Sequence, residues 1–209
     1  MTVLGQRVTI EPDEWAWFEV AEWETGTTAE DKKKPVTWMR QSNDRKVIIN
    51  QMSIPSNNKY GVKLTKKLCG SYHYYIEASL SGKRDLKNKT GLYVKGYSPP
   101  LITKCGWSKT KGKTDLTNTN NDNKDVGYGD IIYLHAETEG INGEIVTVEV
   151  WNEMWNGDYK MRTLVQVEVI DGEINVKIPN TSAWQPTIKS IKDNEEFYAK
   201  IKRSDNTYI

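Results

Sequence analysis

The run Tyr72-His73-Tyr74-Tyr75-Ile76-Glu77-Ala78-Ser79-Leu80 alternates with a period of two. Tyr72, Tyr74, Ile76, Ala78 and Leu80 fall on one side, and His73, Tyr75, Glu77 and Ser79 on the other. Side chains leave a strand on alternate faces, so the pattern predicts an antiparallel strand with one packed and one solvated face. The same period recurs in the first half of the chain at Trp15 to Trp23, Val36 to Arg40, Lys46 to Met52, Tyr60 to Leu64 and Gly91 to Tyr97. Turn clusters separate these runs, among them Glu24-Thr25-Gly26, Pro55-Ser56-Asn57-Asn58 and Ser81-Gly82, at the spacing of a sandwich of short strands. No amphipathic helix of three turns is present; Thr28 to Lys34 has room for one short turn before Pro35.

A second set of strands is expected at Leu101 to Trp107, Asp130 to Glu137, Glu144 to Trp151, Leu164 to Ile170, Glu173 to Ile178 and Glu196 to Arg203. Between the first two of these, residues 108–126 are polar and rich in Asn, Thr and Lys, a composition that predicts a mobile loop. The Pro pair of Tyr97-Ser98-Pro99-Pro100 cannot donate to a ladder and stiffens a connection, which sets a boundary there. The halves are weakly repeated, in the same order. Val36-Thr37-Trp38 matches Val146 to Trp151, Trp23-Glu24-Thr25-Gly26 matches Glu137 to Gly140, and Gly61 to Leu64 matches Asn175 to Ile178. Tyr74 to Glu77 matches Phe197 to Lys200 at a larger offset. An all-β protein of two tandem immunoglobulin-like β-sandwiches, residues 1–98 and 99–209, is the simplest reading, without the Cys-Trp-Cys pattern of antibody domains.

Length and composition agree. A chain of 209 residues suits one large β-domain or two modules of roughly 100 residues. Hydrophobic residues at 37% and charged residues at 27% exclude global disorder in spite of a mean hydropathy of -0.69. With 29 Lys+Arg against 28 Asp+Glu, the net charge of +1 lacks the footprint of a nucleic-acid binder. No run approaches the length of a transmembrane helix, so membrane insertion is not expected. The start, Met1 to Arg7, has neither a basic n-region nor an apolar h-region. The chain is therefore expected in the cytoplasm at synthesis, with any export by a route that needs no classical signal. Cys69 and Cys105 have no metal or redox spacing and are read as reduced thiols.

Little in the chain points to catalysis. The two imidazoles, His73 and His135, sit in strand patterns with no nucleophile motif nearby, so both are read as strand histidines at or near a surface. Their separation gives no metal-ligand spacing. Glu11, Asp13, Glu14, Glu19, Glu22 and Glu24 crowd around Trp15, Trp17 and Trp23, a composition shared with glycosidase clefts. Glu/Trp alternation on a strand, with one polar and one packed face, accounts for it equally. Asp122, Asp125 and Asp130 match no calcium-loop spacing and are read as a solvated loop. No enzyme activity, cofactor or metal is expected.

Binding leaves clearer marks. Glu11 to Asp31 holds eight acids and no Lys or Arg, whereas Tyr60 to Lys113 holds twelve Lys/Arg against Glu77 and Asp85 alone. Lys63, Lys66, Lys67, Lys83, Arg84 and Lys87, continued by Lys89, Lys109, Lys111 and Lys113, form either a docking stripe for an acidic partner or a set of solvated hairpin tips. Trp151, Trp155 and Tyr159 form a second candidate, for glycan, because aromatic faces stack on sugar C–H surfaces and nearby Asn, Asp and Glu reach hydroxyls. Trp38, Trp107 and Trp184 are assigned to packing.

Lys66 to Ser79, Gly127 to Asp130, Thr138 to Gly143, Asn180-Thr181 with Trp184, and Glu196-Phe197-Tyr198 resemble tandem Ig-like β-sandwich repeats of multidomain proteins in certain Gram-negative bacteria. Those repeats accompany PAAR-like spike, peptidoglycan-binding and toxin modules associated with type VI secretion. The resemblance covers most of the chain and marks a scaffold, with no catalytic residue to carry over. It implies a non-enzymatic adaptor or carrier that binds a protein partner, a secretion spike, tube or toxin module. Larger members continue into a toxin or spike, so this sequence is expected to be the front part of a longer protein or a stand-alone adaptor. A carbohydrate or peptidoglycan-binding module is the alternative.

Overall fold

A computed structural model describes residues 6–88, 90–114, 126–154, 157–184 and 196–209. Among them there is no α-helix, only short 3-10 turns between strands. The chain divides into two compact units, Met1–Ser98 and Pro99–Ile209. The first holds β1 (Arg7–Ile10), β2 (Trp15–Phe18), β3 (Val36–Gln41), β4 (Ile48–Ile54), β5 (Tyr60–Lys63), β6 (Tyr74–Ser79) and β7 (Leu92–Gly96). The second holds β8 (Leu101–Ser108), β9 (Ile132–Glu139), β10 (Ile145–Glu153), β11 (Tyr159–Glu168), β12 (Glu173–Ile178) and β13 (Glu196–Lys202).

In the first unit, one sheet has the order β1-β7-β6-β3-β4 and the other is the pair β2-β5. All pairings are antiparallel except β1 with β7. The core lies between the sheets, where Ile10, Trp38, Tyr74, Ile76 and Val94 meet Tyr60, Val62, Ala16 and Phe18. Trp38 stacks on Tyr60 with ring centroids 5.2 Å apart. In the second unit the sheets are β12-β9-β8 and β11-β10-β13. Leu134, Ala136, Ile174 and Ile178 from the first of these close on Val146, Val148, Val150 and Ile201 from the second. Each buried Val, Ile or Leu contributes about 1.5–3 kcal/mol relative to exposure, which is why such runs fold as facing sheets.

The units repeat one topology. β2 pairs β5 as β9 pairs β12. β3 sits between β4 and β6 as β10 sits between β11 and β13. These are the B–E and C′–C–F pairings of an immunoglobulin-like sandwich, with β7 beside β6 in the place of strand G. The sequence repeats map onto this frame: Gly61 to Lys63 lie on β5 and Asn175 to Ile178 on β12, and Tyr74 and Phe197 lie on β6 and β13. The inner faces are filled by packing, with no disulfide: Cys69 and Cys105 are free thiols.

Three local expectations are corrected. β6 is not half-solvated, because Tyr74, Tyr75, Ile76 and Glu77 are all buried. The face with Tyr75 and Glu77 is roofed by the Arg45 guanidinium, 4.3 Å above the Tyr75 ring, and by Asp85 and Thr90, which hydrogen-bond Glu77. β1 went unforeseen: it has only four residues, and its parallel partner β7 lies far along the chain. β8 runs through Ser108, which is buried, so the polar stretch begins with a strand residue. Residues 115–125 of the loop expected at 108–126 lie outside the described residues.

Candidate functional site

The β2–β5 sheet has an aromatic outer face. Trp15 lies opposite Lys63 and Trp17 opposite Gly61, so these four share one side, while Ala16 and Phe18 turn into the core. Trp15 and Trp17 are each 59% exposed, and their rings stack at 5.8 Å and 26°. Gly61 makes room for them. A Cβ there would stand 2.9 Å from Trp17 and 3.0 Å from Trp15, so any larger residue would push the indoles off β5. This corrects the expectation that the tryptophan side of the Glu/Trp alternation packs. Period two separates the faces without saying which is inner, and the smaller Ala16-Phe18 face is the one that fits the core.

Charge surrounds the pair. Lys59 and Glu19 form an ion pair of 3.5 Å at one end. At the other, Lys63 is followed by exposed Lys66 and Lys67 in the 3-10 turn Lys66–Leu68. Among the described residues β2 and β5 form a sheet of their own, so each has one edge without a ladder partner. Unpaired edges beside exposed aromatics are a template for another chain.

Lys83, Arg84 and Lys87 flank Asp85, whose backbone caps a buried carboxylate. Glu77, 1% exposed, accepts from the Asp85 N–H and Gln41 Nε2 at 2.7 Å each and from Thr90 Oγ1 at 3.4 Å. The Arg45 guanidinium stands 3.7 Å away and donates to the Asp85 and Asn88 carbonyls. Arg84 Nη1 donates to the carbonyls of Arg45 and Lys46 at 2.7 Å each, so this half-buried side chain braces a loop. Backbone and side-chain hydrogen bonds from Asn88 hold the Asp85 carboxyl below its ordinary value. Burial pushes the Tyr75 hydroxyl up, and that hydroxyl accepts from the Gly91 N–H at 2.7 Å. Lys83 and Lys87 remain exposed, and Lys89 lies outside the described residues. Among the described residues no carboxylate pairs with Lys63, Lys66, Lys67, Lys83 or Lys87.

In the second unit Trp151 is held in place. Its indole N–H donates to Glu149 at 3.0 Å, and Lys200 Nζ lies 3.9 Å over its ring. Glu149 also receives Tyr208 Oη at 3.0 Å and Lys160 Nζ at 3.3 Å. Burial alone would raise the Glu149 pKa, but the hydrogen bonds from Trp151, Tyr208 and Lys160 outweigh it and hold the carboxyl below its ordinary value. Tyr198, opposite Trp151 on β13, donates to Asp158, and its pKa is pushed up to about 12 by burial and by that carboxylate. Tyr159 is exposed, and Trp155 lies outside the described residues. Trp38 and Trp184 are buried, and Trp107 donates its N–H to the Phe197 carbonyl.

The titratable groups weighed for catalysis do not converge. His73 is partly buried, and desolvation lowers its pKa. His135 is buried, contrary to the expectation of a surface position, with Nδ1 2.9 Å from Asn175 Oδ1. Glu11, Asp13, Glu14, Glu19, Glu22 and Glu24 are all exposed. Asp130 pairs with Lys109 at 3.1 Å, while Asp122 and Asp125 lie outside the described residues. Among the described residues no group of three His, Cys, Asp or Glu side chains is placed to hold a metal.

No family model matches the chain, and no curated protein matches it. Two solved structures, both titled marsupial T cell receptor, are similar at 12% and 10% identity. The likeness covers 98% and 97% of this chain and 68% and 67% of theirs, with TM-scores of 0.29 and 0.27. At those scores it adds nothing to the strand order, which carries the fold assignment.

The strongest site, Trp15 and Trp17 over Gly61, was not foreseen in the sequence. One signal pointed to it: a glycine inside the strand Tyr60 to Leu64 marks a close approach by another group.

Proposed function

We propose that the chain is a non-catalytic binding module that docks a protein partner on the β2–β5 face of its first unit. One observation carries this reading: two stacked tryptophans, each 59% exposed, lie across Gly61 beside Lys63. Tryptophan dominates interface hot spots because a large rigid surface is desolvated at small entropic cost. Lys63, Lys66 and Lys67 beside it favour an acidic segment and speed its encounter. The unpaired edges of β2 and β5 suit an added strand. A setting in a type VI secretion apparatus or its toxin cargo is supported by the sequence resemblance alone. The glycan reading has less support at Trp151, whose N–H is engaged and whose ring is covered by Lys200.

The test is capture of partners from the native host with the wild-type chain, with Trp15→Ala/Trp17→Ala, and with Lys63, Lys66 and Lys67 changed to Glu. Specific capture is expected to disappear in both variants and to survive reversal of Lys83 and Lys87. Absence of any partner, or capture indifferent to the tryptophans, overturns the reading. Glycan-array binding abolished by Trp15→Ala/Trp17→Ala would replace the protein partner with a carbohydrate.

A further inference from the structure

β4 is the outer strand of the five-stranded sheet, and its far side has no partner among the described residues. Of Ile48–Ile54 only Ile54 is not exposed, and Val47, Ile48, Ile49 and Met52 are 58%, 38%, 44% and 51% exposed. No charged residue occurs from Val47 to Ser56, and Pro55 lies beyond the strand. Folded proteins blunt such edges with charge, proline, shortness or bulges. The opposite edge of this sheet follows that rule, since β1 has four residues and begins with Arg7. On β4 the one such device is a bulge near its start, where Arg40 pairs with Asn50 and Gln41 with Ile48, leaving Asn50 to Ile54 regular.

We propose that β4 is a self-association edge and that its occupant is β4 of a second copy of this chain, paired antiparallel about a two-fold axis. The strand is self-complementary. A two-fold perpendicular to the sheet joins residues of the same face, and centring it on Gln51 sets Asn50 opposite Met52, Ile49 opposite Ser53 and Ile48 opposite Ile54. Gln51 meets its own copy on the axis, Ile48 meets Ile54 at each end, the pairs between are uncharged, and Lys46 falls beside Ser56, so no like charges are opposed. A charged partner strand would gain nothing from this run, whereas an uncharged copy satisfies its backbone donors and acceptors at no electrostatic cost. The net charge of +1 leaves little general repulsion between copies. A seam of seven residues spans about 23 Å, and a single-strand seam predicts a reversible, concentration-dependent dimer.

Sedimentation velocity across a concentration series of the full chain tests this, with Gln51→Lys and Gln51→Glu as exposed, fold-neutral changes checked by circular dichroism. Wild type is expected to dimerise. Either variant alone is expected to weaken the dimer at least about tenfold by setting like charges on the axis. An equimolar mixture of the two is expected to recover a mixed dimer. A wild type that stays monomeric, a dimer insensitive to both variants, or a mixture no better than its components overturns the proposal. A dimer lost in Trp15→Ala/Trp17→Ala but kept in the Gln51 variants overturns it too, by placing self-association on the β2–β5 face.

Discussion

Both units bury a carboxylate carried on a sheet strand, Glu77 and Glu149, and carry tryptophan on an outer sheet face, yet they treat the tryptophan oppositely. In the second unit Trp151 has neighbours that can grip it: Glu149, two residues earlier on β10, takes its N–H, and Lys200 of the adjacent β13 covers its ring. In the first, Trp15 and Trp17 lie across from Lys63 and Gly61, and Gly61 has no side chain to grip anything. The same residue type at the same strand period is structural in one place and available in the other. Neighbours on the same sheet face, along the strand and across it, decide availability, not the residue.

The largest effect is expected where a buried charge loses its partner. Glu77→Ala strands Arg45 and the Asp85 N–H and should cost the first unit about 3–5 kcal/mol, measured by denaturant unfolding. A loss under about 1 kcal/mol would mean that the roof over β6 contributes little. Next, Trp151→Ala removes a packed ring and leaves Glu149 with fewer donors, at a cost of about 2–3 kcal/mol to the second unit. An effect as small as that of an exposed side chain would erase the contrast between the two faces.

Proton linkage sharpens the comparison further. The folded-state pKa of Glu149 lies below its ordinary 4.5, so its stabilising contribution is present above that value and is lost as pH falls through the lowered one. The stability of the second unit should therefore decline below about pH 4.5, and Glu149→Gln should flatten that decline, read by thermal unfolding from pH 3 to pH 7. The smallest effect is expected at the open face. Trp15→Ala should change stability by about 0.5 kcal/mol or less, and Gly61→Ala should alter tryptophan fluorescence by displacing the indoles with a similarly small loss. A large loss on either change would make the pair a packing feature and remove the reason to regard it as a docking surface.

Much of the frame was legible because strand pattern is local. Period two places β3, β5, β10 and β12 within two residues, and the Pro99-Pro100 pair marks where the compact units part. Four-residue β1 was not legible, because its only support is a parallel partner that local pattern cannot reveal. Arg84 read as a surface cation because it sits in a polar turn segment among lysines, yet it braces two backbone carbonyls almost forty residues earlier. Trp15 and Trp17 read as packed because large aromatics usually are.

The amino-acid sequence by itself determined an all-β chain with a twice-repeated strand order and no residue pattern suited to catalysis, since alternation, turn chemistry and composition act over a few neighbours. Only the tertiary structure decided which face of each alternating strand is inside, which charges are roofed over and which tryptophans are left to solvent. Those outcomes depend on cross-strand neighbours such as Gly61 and Lys200, and strand pairing brings together residues that are far apart along the chain.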